Sequence, residues 1–402
     1  MSGSSIVSWL LLALAAGATG YSLIALFAVS RFIRYRRKAI RLNAASAFTP
    51  PVSVLKPLYG ADRELEKNLE SFFRQAYPSY EIIFSVREEM DAAVPIVRSL
   101  QKRFPQTPAR LVFTGPPRYL NAKVHGLEAM MEAAAHEILV INDSGVRVEP
   151  DYLRSVVRPL ADPSVGLVTC VAREVPSKTL WSRMEALCVN TQYFGGILAA
   201  WVLLGMEFSL GKTMATRKEQ VRRLGGFGAL GDYLADDFVL GERMAREGYQ
   251  VVLSATIPEN RFLGEGMRGS LAHRLRWERS TRHSRPAGYL GQIFMHNLPL
   301  ALLAWACAPS ESFLAAGVVA ACLASRALLA SALAALVLRD PAFRKDWWLL
   351  PLQDLVSFGV WLGGFSGREI LWRGARFRVL RGGRLEPAVN GTQETPGSNV
   401  PR

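Results

Sequence analysis

Residues Glu137–Val148 read EILVINDSGVRV. The run Ile138–Ile141 is short and apolar, the pattern of a strand buried on both faces. It runs straight into Asp143, so a carboxylate stands at the strand's carboxyl end with Gly145 close behind. Upstream, PVSVLKPL (Pro51–Leu58) and YEIIFSV (Tyr80–Val86) read as further buried strands, and Ala109–Thr114 as another. Between them Asp62–Gln75 is an amphipathic helix with Leu65, Leu69, Phe72 and Phe73 on one side, and Pro95–Phe104 and Asn121–Ala135 are helical. Strands alternating with helices predict an α/β domain whose mostly parallel sheet is covered on both faces. Ligands in such sheets bind beyond the carboxyl ends of the strands. Val86–Asp91 and Asp143–Arg147 therefore belong to one rim.

Outside this region the chain turns apolar. Half of its 402 residues are hydrophobic and its net charge is +14, which fits a soluble domain joined to membrane segments. Ile6–Val29 is an uncharged run long enough to cross a bilayer as a helix. No basic stretch precedes it and RFIRYRRKAIR (Arg31–Arg41) follows, which predicts an uncleaved anchor with its basic side in the cytoplasm rather than a signal peptide. Ile293–Ala308, Phe313–Leu338 with Arg326 inside it, and Trp347–Phe365 with Asp354 inside it read as further membrane segments, the two ionisable residues forming a candidate pair. The basic run Arg368–Arg384 should also be cytoplasmic, so one of these segments is expected to be re-entrant or interfacial. Gly195–Gly205 is apolar but too short to cross, and reads as a core helix or, preferably, one at the bilayer surface where a lipid could enter. Both basic runs directly follow apolar stretches, which assigns the charge to the lipid bilayer and not to nucleic acid. Cys170, Cys188, Cys307 and Cys322 have no metal-ligand spacing and read as reduced packing residues. Val389–Arg402 is predicted to be disordered.

The chemistry concentrates in GDYLADDFVLG (Gly231–Gly241) and HRLRW (His273–Trp277). Asp236 and Asp237 are costly to bury side by side unless something uses or neutralises them. The plainer alternative is a helix start with acids in its first turn. Acids that activate a hydroxyl, with cations that hold a diphosphate, are the two halves of a glycosyl-transfer site. Asp143 at its strand end, beside a glycine that lets a phosphate approach, suits a divalent cation bridging a nucleotide diphosphate; Asp-Ser-Gly is also ordinary turn chemistry.

Taken in order, KPLYG (Lys56–Gly60), NAK (Asn121–Lys123), DSGVRV (Asp143–Val148), GKTMATRK (Gly211–Lys218), ADDF (Ala235–Phe238), HRLRW and WRGARFR (Trp372–Arg378) resemble the ceramide glucosyltransferase-like family, glycosyltransferase family 21. The closest motifs are those of the bacterial hopanoid-biosynthesis glycosyltransferases. The resemblance implies a GT-A-type, Rossmann-like cytosolic domain, a UDP-sugar donor, Mg²⁺ or Mn²⁺, and inverting transfer to a membrane lipid. It implies Asp143 as the metal and diphosphate aspartate and Asp237 as general base, with Asp236 beside it. Lys56, Glu88, Lys123 and Arg276 fall on the donor side, and His273, Trp277 and Arg376 in the acceptor or diphosphate region. Trp277 could equally be an interfacial aromatic.

The chain departs from the family at three places. Glu88 stands where the first acid is usually Asp, and Glu89 or Asp91 could serve instead. His273 occupies the first place of the (Q/R)xxRW motif, and NTQYFGG (Asn190–Gly196) lacks the histidine that ceramide enzymes tend to carry there. These departures, with PLADPSVGLVTC (Pro159–Cys170), rank hopanoid N-acetylglucosamine transfer first and ceramide glucosylation from UDP-glucose as the alternative. The expected organisation is an anchor at 1–32, the glycosyltransferase domain at 50–288, a membrane region at 290–367 and a basic tail at 368–402, in a bacterial inner membrane protein with a cytoplasmic site. Too few membrane segments are foreseen for a processive polysaccharide synthase. A non-catalytic membrane adaptor, with structural acids, is the alternative of another class.

Overall fold

The computed structural model describes residues 3–44, 46–261, 266–308, 312–372 and 375–388. The main sheet has seven strands: β1 (Val52–Pro57), β2 (Tyr80–Val86), β3 (Ala109–Phe113), β4 (Ile138–Asn142), β5 (Val165–Thr169), β6 (Thr213–Arg217) and β7 (Gln250–Leu253). Their spatial order is β3-β2-β1-β4-β6-β5-β7. β1 pairs in parallel with β2 and β4, and β2 with β3. β6 enters antiparallel between β4 and β5, and β7 closes the edge parallel to β5. The sheet is thus mostly parallel with one reversed member, the mixed α/β architecture of a GT-A-type domain.

Side-chain alternation along the strands builds two cores. Leu55, Ile83, Leu139 and Ile141 face one; Val54, Ile82, Phe84 and Val140 face the other. The first core does not stop at the domain. Ala25, Ala28, Val29 and Phe32 of the N-terminal helix Gly3–Ala44, together with Leu329 and Leu333, belong to it. Domain and apolar helices are therefore packed as one body rather than tethered.

Among the described residues, three helices are long and apolar enough to cross a membrane: Ile6–Asn43, Leu180–Leu203 and Phe313–Leu338. Their outward faces carry Trp9, Leu10, Phe27, Phe313 and Leu328, a lipid-compatible surface. Gly195–Gly205 was expected to be too short. Its Gly195–Leu203 part is instead the end of a helix running from Leu180, whose polar residues Asn190, Thr191 and Gln192 turn inward and are buried. Both ends of that segment return to β5 and β6, which pair with each other. A single crossing would put these two strands on opposite sides of the bilayer, so this helix does not cross alone.

The expected Trp347–Phe365 span is also corrected. Its α-helix covers only Leu350–Gly364, about 22 Å at 1.5 Å per residue, short of the ~30 Å hydrocarbon layer. Ile293–Ala308 is broken: Pro286–Met295 and Asn297–Cys307 meet at 67°. The basic tail folds back as a small antiparallel sheet of Glu369–Trp372, Ala375–Val379 and Leu385–Pro387. Val389–Arg402 lies outside the described residues. None of the cysteines is bonded to another; Cys170, Cys188 and Cys322 are buried and Cys307 is exposed.

Candidate active site

Asn142 closes β4 with its amide donating to Tyr152 Oη (2.7 Å), Thr213 Oγ1 (3.0 Å) and the Lys212 carbonyl (3.1 Å). The chain is thereby fixed where Asp143 leaves the sheet. Lys56, fully buried on β1, donates to the Asp143 carbonyl oxygen at 3.0 Å and lies 3.8 Å above the Phe72 ring. Burial pushes its ammonium down to about 7, against the pull of Asp143.

Lys123 lies in the first turn of the Ala122–Ala133 helix, which Asn121 caps by accepting from the Lys123 and Val124 amides. Its Nζ is 3.1 Å from Asp143 Oδ1 and 3.5 Å from Asp236 Oδ2, while Lys212 Nζ is 3.7 Å from Asp143 Oδ2. Burial alone would raise the Asp143 carboxyl; Lys123 and Lys212 outweigh it and hold the group below the ordinary carboxylate range. Burial would likewise depress Lys123, yet Asp143, Asp236 and Asp237 push it well above its usual value. Lys123 is the common cation of the cluster.

Asp236 and Asp237 do open a helix, Asp236–Arg246, as the plainer reading of ADDF has it. Asp236 is buried and accepts from Asn121 Nδ2 at 3.2 Å. Asp237 is half-buried beside Gly211, where an added Cβ would meet its Oδ2 at 2.8 Å. Ser209 Oγ donates to the Asp237 carbonyl at 2.5 Å. The helix packs so closely on this loop that a Cβ on Gly241 would lie 2.3 Å from the Ser209 nitrogen, which accounts for the glycine in DDFVLG. Burial, then the neighbouring Asp236 carboxylate, raises Asp237 to about 6, with Lys123 opposing.

The loop before this helix is braced twice. The Asn121 amide nitrogens donate to the Gly231 and Tyr233 carbonyls, at 2.9 and 3.0 Å. From the tail sheet, the Leu385 nitrogen donates to the Asp232 carbonyl (2.6 Å) and Leu234 donates to Gly383 (3.2 Å). The tail sheet is thereby docked on the loop that leads into the acids. Arg376 lies on that sheet but is exposed, paired across the ladder with Leu371.

A second polar group lies on the Met267–Ser284 helix. His273 Nδ1 is 2.7 Å from Glu185 Oε1, whose other oxygen accepts from Ser270 at 2.7 Å. The His273 and Trp277 rings are 4.3 Å apart, and Trp277 meets Tyr193 edge-on. Arg276 is half-buried on this helix; Arg274 is the buried one, donating to Ser357 Oγ at 2.9 Å. Glu174 links the groups electrostatically: burial raises it, Lys212 lowers it, and both Glu185 and Asp143 raise it further.

The structure therefore brings Lys56, Lys123, Asp143, Asp236 and Asp237 together, and groups His273 with Trp277. Glu88 is exposed at the end of β2, near Arg87, while Glu89 pairs with Arg98 and Asp91 accepts from the Gly60 and Ala93 amides. Lys212, Asn121 and Glu185 were not foreseen as site residues, although Lys212 and Asn121 lie in motifs of the resemblance. Within NTQYFGG, Gln192 lies 3.4 Å from buried His296 Nδ1.

A family model described as glycosyl transferase family 21 matches residues 10–385. The chain belongs to glycosyl transferase family 21. Ceramide glucosyltransferase 3 of Caenorhabditis elegans is 30% identical over 207 residues, 51% of this chain and 45% of that protein. Ceramide glucosyltransferase of Komagataella phaffii is 34% identical over 105 residues, 24% of this chain and 20% of that protein. The matches thus span about half or less of these curated relatives. They favour the ceramide alternative over the hopanoid reading ranked first from the motifs. Among solved structures, the mannosyltransferase PcManGT from Pyrobaculum calidifontis is similar at 23% identity, with 87% of this chain and 99% of that chain covered and a TM-score of 0.44. S. aureus TarS is similar at 11% identity, with 85% and 100% covered and a TM-score of 0.37.

Proposed function

We propose that this family 21 member is a membrane glycosyltransferase that moves glucose from UDP-glucose to the primary hydroxyl of a ceramide-type lipid, with inversion. The observation that carries the reading is the half-buried Asp237, raised to about 6, beside a lysine-ringed Asp143, in a domain that shares its core with membrane-length helices. Asp237 takes the proton of the acceptor hydroxyl as that oxygen bonds to the anomeric carbon. The bond from that carbon to the diphosphate breaks, and UDP leaves with the electron pair. Lys123 and Lys212 hold negative charge at the end of β4, and Arg276 approaches the diphosphate from its helix.

The donor set fits Mg²⁺ or Mn²⁺ held jointly with the diphosphate. Asp143 offers hard carboxylate oxygens, and among the described residues no group of three or more His, Cys, Asp or Glu could hold a metal ion by itself. When bound, the ion would neutralise charge on the departing diphosphate. Lys56, neutralised easily by its burial, orients the Asp143 backbone. Glu88 faces the nucleoside end of the rim. His273, set by Glu185, and Trp277 meet the acceptor beside the inward polar residues of Leu180–Leu203. The domain and the tail sheet lie together on the cytoplasmic side, in keeping with the basic residues that follow the first apolar helix.

The test is transfer by the purified full chain in micelles with Mg²⁺ or Mn²⁺, offering UDP-glucose and UDP-N-acetylglucosamine against ceramide and bacteriohopanetetrol. Glucosylceramide as the main product is expected. Transfer to the hopanoid alone would restore the motif-based ranking.

A further inference from the structure

The basic stretch of the N-terminal helix, which runs on to Ala44, begins beside the end of the Phe313–Leu338 segment. Arg36 Nη1 donates to the Val337 carbonyl at 2.9 Å, Arg173 Nη1 donates to the Arg339 carbonyl at 3.3 Å, and Arg339 turns the chain away at φ 49°. Beside this junction lies a cavity of about 710 Å³ walled by Arg36, Arg147, Arg154, Arg173 and Arg339. Its acids are Glu149, Asp151 and Glu259. Glu259 is engaged by Arg173 and Arg261, and Arg147 by Glu64 at 2.7 Å. Glu149 and Asp151 are exposed. Among the described residues, no carboxylate lies within ion-pair distance of Arg36, Arg154 or Arg339. Arg36 and Arg154 each spend one hydrogen bond on a carbonyl, Val337 and Ser46, out of five donors per guanidinium. A smaller cavity of about 300 Å³ shares Asn43, Ser155 and Ala255 with the first and adds Lys38 and Arg158.

Such a concentration of cation is unfavourable unless an anion relieves it. Two of the membrane-length helices leave their apolar runs here, so the cavity opens at the depth of lipid head groups, where Arg side chains meet phosphate bidentately. None of the proposed catalytic residues lines it. We propose that this cavity binds the phosphate-bearing head group of an anionic membrane lipid, gripped by Arg36, Arg154 and Arg339. The proposal rests on the membrane placement of the helices and not on the transfer chemistry.

The full chain in neutral detergent is titrated with soluble short-chain phosphatidic acid, the matching phosphatidylcholine and inorganic phosphate, reading the thermal unfolding midpoint. A saturable rise with phosphatidic acid is expected, weakened on the order of tenfold in Arg36→Gln/Arg339→Gln and retained in Arg223→Gln, a surface control. An equal rise with phosphatidylcholine, inorganic phosphate as potent as the lipid, or an unchanged response in the double variant overturns the proposal. Should the double variant not fold, Arg154→Gln is read by the same criteria. Sugar transfer without added anionic lipid, measured on Arg154→Gln in parallel, is expected to be unchanged, so loss of the lipid site and loss of catalysis remain separate results.

Discussion

Arg326 and Asp354 meet in the helical half of the molecule as a closed unit. The guanidinium donates to both carboxylate oxygens, at 2.9 and 2.8 Å, and its remaining contacts go to Thr191 O and Oγ1, at 3.2 and 3.1 Å. At the end of β4 the arrangement is open. Asp143, Asp236 and Asp237 share Lys123, with Lys212 at 3.7 Å from Asp143, and Asp237 is left raised to about 6. Both regions bury charge. Where a guanidinium meets both oxygens of one carboxylate, the charge holds helices in register; where acids outnumber their close cations, a carboxylate is left able to take a proton.

Breaking the open cluster should have the largest consequence. Lys123→Met leaves Asp236 without its cation and Asp143 with Lys212 alone, and is expected to cost about 3–5 kcal/mol of stability and to abolish transfer, measured by denaturation and product formation on the same preparation. Arg326→Ala, in the closed pair, should cost a similar amount by stranding Asp354. Its rescue marks the contrast: Arg326→Met with Asp354→Leu is expected within about 1–2 kcal/mol of the parent, with transfer per folded molecule retained. No such hydrophobic replacement should rescue Lys123→Met.

A pH profile sharpens the comparison further. Asp237 must be ionised to accept a proton, and its folded value is raised to about 6. Transfer should therefore fall about tenfold per pH unit below that point and level off above it, while Arg326 variants keep the same limb. The smallest effect concerns Glu278, whose burial raises it to about 7. The folded chain keeps a proton there that the unfolded chain releases above its ordinary range, so the parent loses stability as pH rises through that interval. Glu278→Gln removes the term, and should be more stable than the parent by about 1–3 kcal/mol at pH 8 and equal to it at pH 4, read from unfolding midpoints.

How much of this was legible in the sequence follows from where the interactions run. β1 to β4 could be read because each carries a short, largely apolar run between helical patterns, and the acids at the rim because they follow one or open a helix. Arg326 and Asp354 stood out because ionisable residues in apolar segments need partners. The Leu180–Leu203 helix did not, since Asn190, Thr191 and Gln192 interrupt its hydropathy while pointing inward. The Glu185–His273 contact joins residues far apart in sequence, and the docking of the tail sheet on Asp232–Leu234 depends on main-chain bonds that no side-chain pattern announces. Arg376 was placed by motif alone, and its exposed position on the tail sheet shows how little a motif says about direction.

The most direct measurement is labelled-glucose transfer from UDP-glucose to ceramide by the parent and by Asp237→Asn, two proteins of matched unfolding midpoint. The expected result is product from the parent and a loss of about 10²–10⁴-fold in the variant. Transfer by Asp237→Asn at the parental rate would contradict the assignment of the base and, with it, the reading of the open cluster as the reaction centre.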